Sequence, residues 1–326
     1  YFNGKAEVLA LDLPEFDATS AAARTSALPG LKDFANGGKA VLINAAGLMD
    51  AQLSKREPDR FYRVNGTAVG HLKDWARDGG VQGFLHLSSE TVFGSGAEPF
   101  ADNGPRTPIH PYGISKLVAE LVLEDSAAEA PPAIALRMAV VVGQGQAIGN
   151  PITMFCDEAL KDGAITLFNG GTHRRKFIHV DDIVGQVAAI LSQPFEPGYT
   201  GYNAGGFPSA MHDVAAIVAA KVGNVEIKNQ ESKSQAFSLL SNSDRIEQKY
   251  GFRPAIDIAQ MVDQCPSTRL VLGGFSQGAA AVSMLAGVPP VGQRIGNFGS
   301  APALDPGLAN KIAAVAVFGN PGNRFN

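Results

Sequence analysis

Three side chains in the middle of the chain have the types and spacing of an acid/base site. Tyr112 and Lys116 stand four residues apart in Pro111-Tyr112-Gly113-Ile114-Ser115-Lys116, a spacing that places both on one face of a helix. A phenol titrates near 10 and is a poor base at neutral pH, but an ammonium beside it favours the phenolate. Tyr112 is therefore expected to act as an acid/base helped by Lys116. Upstream, Ser88-Ser89-Glu90-Thr91-Val92-Phe93-Gly94 closes an apolar run, and the Ser89 hydroxyl there can hold a substrate hydroxyl or carbonyl by a hydrogen bond. A second motif lies far downstream. Gly274-Phe275-Ser276-Gln277-Gly278 follows the apolar run Leu270-Val271-Leu272 and leads into an Ala-rich stretch. A serine on such a strand-to-helix turn is the context of a nucleophile elbow, with the Gln277 backbone N–H available to an oxyanion.

The elements that must carry these residues follow from hydrophobic periodicity. Apolar runs at 7–11, 40–44, 83–87 and 133–142 read as strands, separated by helix-like segments at 19–36, 59–78 and 112–128. That alternation predicts a parallel sheet wound with helices. Beyond Val142 the pattern loosens into a Gly-rich loop, a helix at 153–162, a short strand at 164–168 and a helix at 182–191, which is what a smaller lobe added to the sheet would look like. From Cys265 the character changes again, and charged side chains vanish between Leu270 and Gln293. The composition, 45% hydrophobic and 18% charged with a net charge of −4, is that of an ordinary globular protein and argues against nucleic acid as a partner. The longest apolar stretches are about half the roughly 20 residues that span a bilayer, so no membrane helix is expected. Two cysteines, Cys156 and Cys265, are too few for a disulfide framework; a buried thiol at Cys156 and a reduced, cytoplasmic setting are expected. His173 and His179 have no cluster of metal ligands around them, and no metal site is expected.

The stretch from Ser88 to Lys116 resembles the extended short-chain dehydrogenases/reductases of the NAD-dependent epimerase/dehydratase group. The resemblance continues through Leu42-Ile43-Asn44-Ala45-Ala46-Gly47, Val64-Asn65-Gly66-Thr67, Leu136-Arg137 to Gly143, Gly170 to Asp182, Tyr202-Asn203-Ala204-Gly205 and Tyr250-Gly251-Phe252-Arg253-Pro254. It covers roughly residues 5–262. It implies Ser89, Tyr112 and Lys116 as catalytic residues, with hydride moving to or from a nicotinamide cofactor, NAD with NADP left open. It also implies Ala45 and Ala46 lying against the cofactor, and Lys116 holding its ribose. Arg175 would grip the diphosphate of a nucleotide-sugar, with Glu90 beside the substrate. Asp12, at the close of the 7–11 strand, is either an acid on the adenosine ribose or a solvated turn residue before Pro14.

The chain departs from that family in places. No Gly-x-x-Gly-x-x-Gly turn opening a helix, the usual cradle for the pyrophosphate, precedes Glu7 within the sequence; Gly143-Gln144-Gly145 with Gly149 reads as a loop into the lobe. Ser89 is followed by Glu90-Thr91 where sugar-nucleotide dehydratases carry Asp-Glu, which disfavours a 4,6-dehydratase. Val140 stands where many epimerases carry Asn. Residues 265–326 leave the family and resemble a cutinase, a secreted serine esterase of the α/β-hydrolase fold, on the run Cys265 to Ala280 and on Val315-Ala316-Val317-Phe318-Gly319-Asn320-Pro321. Cutinases pair the cysteine at the Cys265 position with an upstream partner. After Ser276 there is no histidine, and Asp305 is the one later carboxylate, so the triad is expected to be incomplete.

The expected architecture is therefore α/β: a Rossmann-like doubly wound parallel sheet with a smaller substrate lobe, followed by an α/β-hydrolase fragment. The domains are read as a cofactor-binding domain over 1–148 with the Ser/Tyr/Lys site, a substrate lobe with closing helices over 149–262, and a cutinase-like segment over 265–326. The expected reaction is epimerisation or oxidoreduction of a nucleotide-sugar hydroxyl by transient hydride transfer, with a small-molecule substrate and a homodimer left open. The alternatives are an esterase using Ser276, or a silent chimera of two incomplete proteins joined near Gln264.

Overall fold

A computed structural model describes residues 6–263 apart from 14, 37, 97, 126–129, 144–148 and 233–236, and the backbone of 270–275 and 312–318. The chain divides into two compact units, Tyr1–Val262 and Asp263–Asn326. The helices of the first unit are α1 (Ala21–Asn36), α2 (Ala51–Arg56), α3 (Pro58–Phe61), α4 (Ala68–Asp78), α5 (Pro111–Asp125), α6 (Pro151–Asp162), α7 (Val180–Leu191), α8 (Met211–Val222), α9 (Asp244–Tyr250) and α10 (Ile258–Asp263), whose last residue reaches the second unit. Its strands are β1 (Val41–Asn44), β2 (Gly83–Ser89), β3 (Ala133–Met138), β4 (Val140–Val142), β5 (Ala164–Phe168), β6 (Arg174–His179), β7 (Tyr199–Asn203), β8 (Phe207–Ala210) and β9 (Glu226–Gln230). A π-helical turn, Tyr62–Thr67, joins α3 to α4, and a 3-10 turn, Glu90–Val92, follows β2 directly.

The main sheet runs β1-β2-β3-β7, every pairing parallel. Successive residues of a strand face opposite ways, and β2 shows what that does here. Phe84 packs with Leu31 of α1, Leu72 of α4 and Leu123 of α5, whereas Leu85 packs with Ile134 and Leu136 of β3, Ile183, Val187 and Ile190 of α7, and Ile246 of α9. Helices thus cover both faces, the doubly wound arrangement expected from the alternation. Each such fully buried Leu, Ile or Phe contributes roughly 1.5–3 kcal/mol. Smaller sheets lie beyond it: β4-β6-β8, with β8 antiparallel, and the parallel pair β5-β9. Inside the 149–262 segment read as a lobe, β7 and α7 return to the main sheet.

Two expected strands take a different form. Residues 7–11 form no strand, and Val8, Leu9 and Leu11 are exposed. A strand exists only where its N–H and C=O groups find a ladder, and no described segment pairs with this one. The run 133–142 is divided at Ala139. The last register pairs of β3 are Met138 with Ser89 and Arg137 with Asn203; past them both neighbours end, and the chain joins β6 instead. Cys156, buried on α6, is disulfide-bonded and not the free thiol expected; Cys265 lies outside the described residues. No helix among the described residues is long and apolar enough to cross a membrane.

In the second unit, β10 (Leu270–Phe275) and β11 (Ile312–Phe318) pair in parallel, Gly273 opposite Ala316 and Phe275 opposite Phe318.

Candidate active site

The site forms where β2 stops and α5 starts. Ser89 is the last residue of β2, and its side-chain oxygen caps the following turn by accepting the Thr91 N–H at 3.3 Å and the Thr91 hydroxyl at 3.0 Å. These two bonds use both lone pairs of the serine oxygen. Its own proton is left to donate, and the Ser89 side chain acts on the Tyr112 phenol toward the ionised form. Gly113 permits the approach, because a Cβ there would lie 2.6 Å from the Thr91 carbonyl oxygen. His110 stacks on the Tyr112 ring with centroids 6.0 Å apart, and Phe61 meets it edge-on at 6.3 Å.

Lys116 follows one turn later on the same face. Its ammonium is nearly enclosed and donates to the Leu87 carbonyl at 3.0 Å. Burial pulls it down to about 8, with the Glu120 carboxylate opposing. Burial pushes the phenol up, and the force acting toward the phenolate is the Ser89 hydrogen bond. Desolvation penalises any lone charge, and the Lys116 ammonium is turned to a backbone oxygen.

Gly47 packs closely on the Lys116 Nζ: a Cβ there would meet Asn65 Oδ1 at 3.1 Å and Lys116 Nζ at 3.2 Å, so the position leaves no room for a side chain. Asn65, on the π-helical turn, holds the loop after β1 by accepting the Leu48 N–H at 2.7 Å and donating to the Leu48 carbonyl at 2.9 Å and to Ser115 Oγ at 3.0 Å. Ala45 and Ala46 are exposed on that loop, at the C-terminal end of β1. Beneath lies His86, fully enclosed; its Nδ1 is 3.1 Å from Asn44 Nδ2, and burial followed by the Lys116 charge keeps it neutral.

Arg175 and Glu90 are brought near one another. The Arg175 guanidinium lies 4.2 Å over the Phe237 ring and feels the Glu90 charge. Glu90 is buried, accepts from Ser241 Oγ at 3.1 Å and is raised to about 7 by burial against the pull of Lys176. Lys176 itself is held by Ala204 O at 2.6 Å, Ser241 O at 2.9 Å and Ser241 Oγ at 2.6 Å. Asp12 ends no strand; it sits in an exposed turn with its carboxylate on the N–H of Leu13 at 2.8 Å. Ser276 and Gln277 lie outside the described residues. Thr91, Asn65 and Glu120 carry parts of the geometry that the motifs did not single out. Of these, the four-residue step from Lys116 to Glu120 was readable in the sequence.

The family model for the NAD dependent epimerase/dehydratase family matches residues 30–205, more than half of the chain. The chain belongs to that family. The cutinase model matches residues 203–326, of which 203–262 fold with the first unit. The probable carboxylesterase Culp3 of Mycobacterium tuberculosis is 48% identical over 67 residues, 21% of this chain and 24% of that protein. The UDP-glucose 4-epimerase of Erwinia amylovora is 31% identical over 211 residues, 56% of this chain and 62% of that one. The chain spans about a quarter to a third of the length of the first curated relatives it matches. Among solved structures, RMD from Pseudomonas aeruginosa complexed with NADPH superposes with a TM-score of 0.69 at 21% identity, over 81% of this chain and 91% of that one. The dTDP-glucose 4,6-dehydratase of Streptomyces venezuelae with NAD and TYD gives 0.64 at 21% identity, over 76% and 77%. At these identities the likeness is one of fold, a Rossmann-like sheet.

Proposed function

We propose that the first unit epimerises a nucleotide-sugar by transient hydride transfer, with residues 1–148 carrying the cofactor and the chemistry and 149–262 the substrate. The observation that carries this is the meeting of the end of β2, with Ser89, and the start of α5, with Tyr112, where Gly113 packs on the Thr91 carbonyl and Lys116 follows one turn along the same helix. Lys116 would hold the nicotinamide ribose by hydrogen bonds, with the exposed Ala45 and Ala46 at the end of β1 lying against the cofactor. Bound NAD supplies the hydride acceptor. Ser89 positions the substrate oxygen, Tyr112 takes its proton as the alcohol is oxidised and returns a proton to the keto oxygen on reduction. Arg175 would bind the substrate diphosphate bidentately, with Glu90 lining the same end. The test is isomer formation from UDP- or dTDP-sugars with NAD supplied. Full activity of Tyr112→Phe sinks the mechanism.

A second reading, a cutinase-like esterase acting through Ser276 with the Gln277 N–H at its oxyanion, draws on the 48% identity to Culp3. Hydrolysis of p-nitrophenyl butyrate that disappears in Ser276→Ala supports it. Turnover that is unchanged in Ser276→Ala removes it.

A further inference from the structure

The face of α5 that carries Tyr112 and Lys116 continues one turn to Glu120, a fully buried carboxylate that the proposed chemistry leaves unused. Four side chains from separate parts of the fold converge on it. Ser88, at the end of β2, donates to Oε1 at 2.6 Å. Arg137 of β3 reaches it with Nε at 3.0 and 3.1 Å and Nη2 at 2.8 Å. The Tyr199 hydroxyl of β7 donates at 3.1 Å. Arg106, from the segment before α5, adds 3.2 Å while its other arm binds Glu124. A buried ion pair is by itself weak evidence for stability. A carboxylate tied to three adjacent strands is a means of fixing position. Ser88 adjoins Ser89, so Glu120 grips both the strand end and the helix that make the site.

We propose that Glu120 is the positioning residue of this site. Its carboxylate, held by Ser88, locks α5 against β2 so that Tyr112 stays beside Ser89, and it sets an anion one turn from Lys116 on the same helix. The importance of that charge for turnover rests on the function proposed above; the charge itself does not. The groups around Lys116 are Tyr112 and Glu120 on α5, neutral His86 on β2, and Asn65 with Gly47 beside the Nζ. Among these Glu120 is the anion, and it acts against the burial that pulls the ammonium down.

The ε-amine of Lys116 can be followed by NMR in the full chain labelled with 13C-lysine, the signal being assigned by its loss in Lys116→Arg. In Glu120→Gln the Lys116 titration should fall by about one pH unit, whereas Glu120→Asp, which keeps the charge, should stay close to the parent. Ser88→Ala should leave the titration in place and lower kcat without raising KM. Should Glu120→Gln fail to fold by circular dichroism, Glu120→Gln with Arg137→Met removes both buried charges and answers the same question. A folded variant lacking the Glu120 charge in which Lys116 titrates as in the parent overturns the proposal. Undiminished turnover in Tyr112→Phe alongside the expected Lys116 shift would instead remove the function while leaving the electrostatic role standing.

Discussion

At the scale of single residues, the site is governed by where hydrogen-bond capacity and charge are spent. Thr91 occupies the acceptor side of Ser89, which leaves the serine proton to donate. Removing that phenol should lower turnover by roughly 10²–10⁴-fold, the usual worth of a positioned acid/base, with sugar-nucleotide binding retained; steady-state kinetics of Tyr112→Phe measures it. The pH profile has a direction that follows from burial. Tyr112 is pushed up, so the step in which it accepts a proton should accelerate as pH rises. Lys116 is pulled down to about 8 by burial, and above that it loses the charge proposed to hold the cofactor ribose. An alkaline limb of kcat/KM centred about 8 is expected. A profile still climbing at pH 9.5 would show that this ammonium is not required.

At the scale of elements, the contact between the 3-10 turn after β2 and the first turn of α5 is the tightest constraint on the site. Gly113→Ala places a Cβ 2.6 Å from the Thr91 carbonyl oxygen. The overpacking costs about 1–3 kcal/mol, more than the roughly 0.5–1 kcal/mol that Ala gains over Gly within a helix. Melting of the variant should show a net loss, and its turnover should fall as α5 moves away from Ser89. The β2 end also carries Glu90, whose carboxyl is raised to about 7 from an ordinary 4.5. The folded state then keeps a proton that the unfolded chain releases. Stability drawn from this group is complete below about 4.5 and is lost as pH rises through about 7. Thermal melts of the parent and of Glu90→Gln should therefore separate over that window, the parent declining more steeply with rising pH.

At the scale of the whole molecule, two compact units share one chain, Tyr1–Val262 and Asp263–Asn326. The residues proposed for hydride transfer all belong to the first. Ser276→Ala is accordingly expected to leave epimerase kinetics and NAD affinity unchanged, which calorimetry and the sugar assay would check; a change in either would show the two units acting on each other.

Much of this protein was legible in the order of its residues. The alternation of apolar runs with helical segments predicted a parallel sheet covered on both sides, because it depends on local composition and periodicity. The four-residue step from Tyr112 to Lys116 and the serine closing β2 were likewise readable, since helix pitch and strand ends are local properties. What the sequence left undetermined depended on neighbours remote in the chain. Residues 7–11 have the pattern of a strand but no ladder, and 133–142 divides where β2 and β7 end. Lys116 has the spacing to act on Tyr112, yet enclosure by Gly47, Asn65 and the Leu87 carbonyl decides what its charge does. Glu120 looks like an ordinary helical glutamate until Ser88, Arg137, Tyr199 and Arg106 arrive from four other parts of the chain. Burial and long-range hydrogen bonding fix the energy of a charge, and both arise only when the strands and helices are packed together.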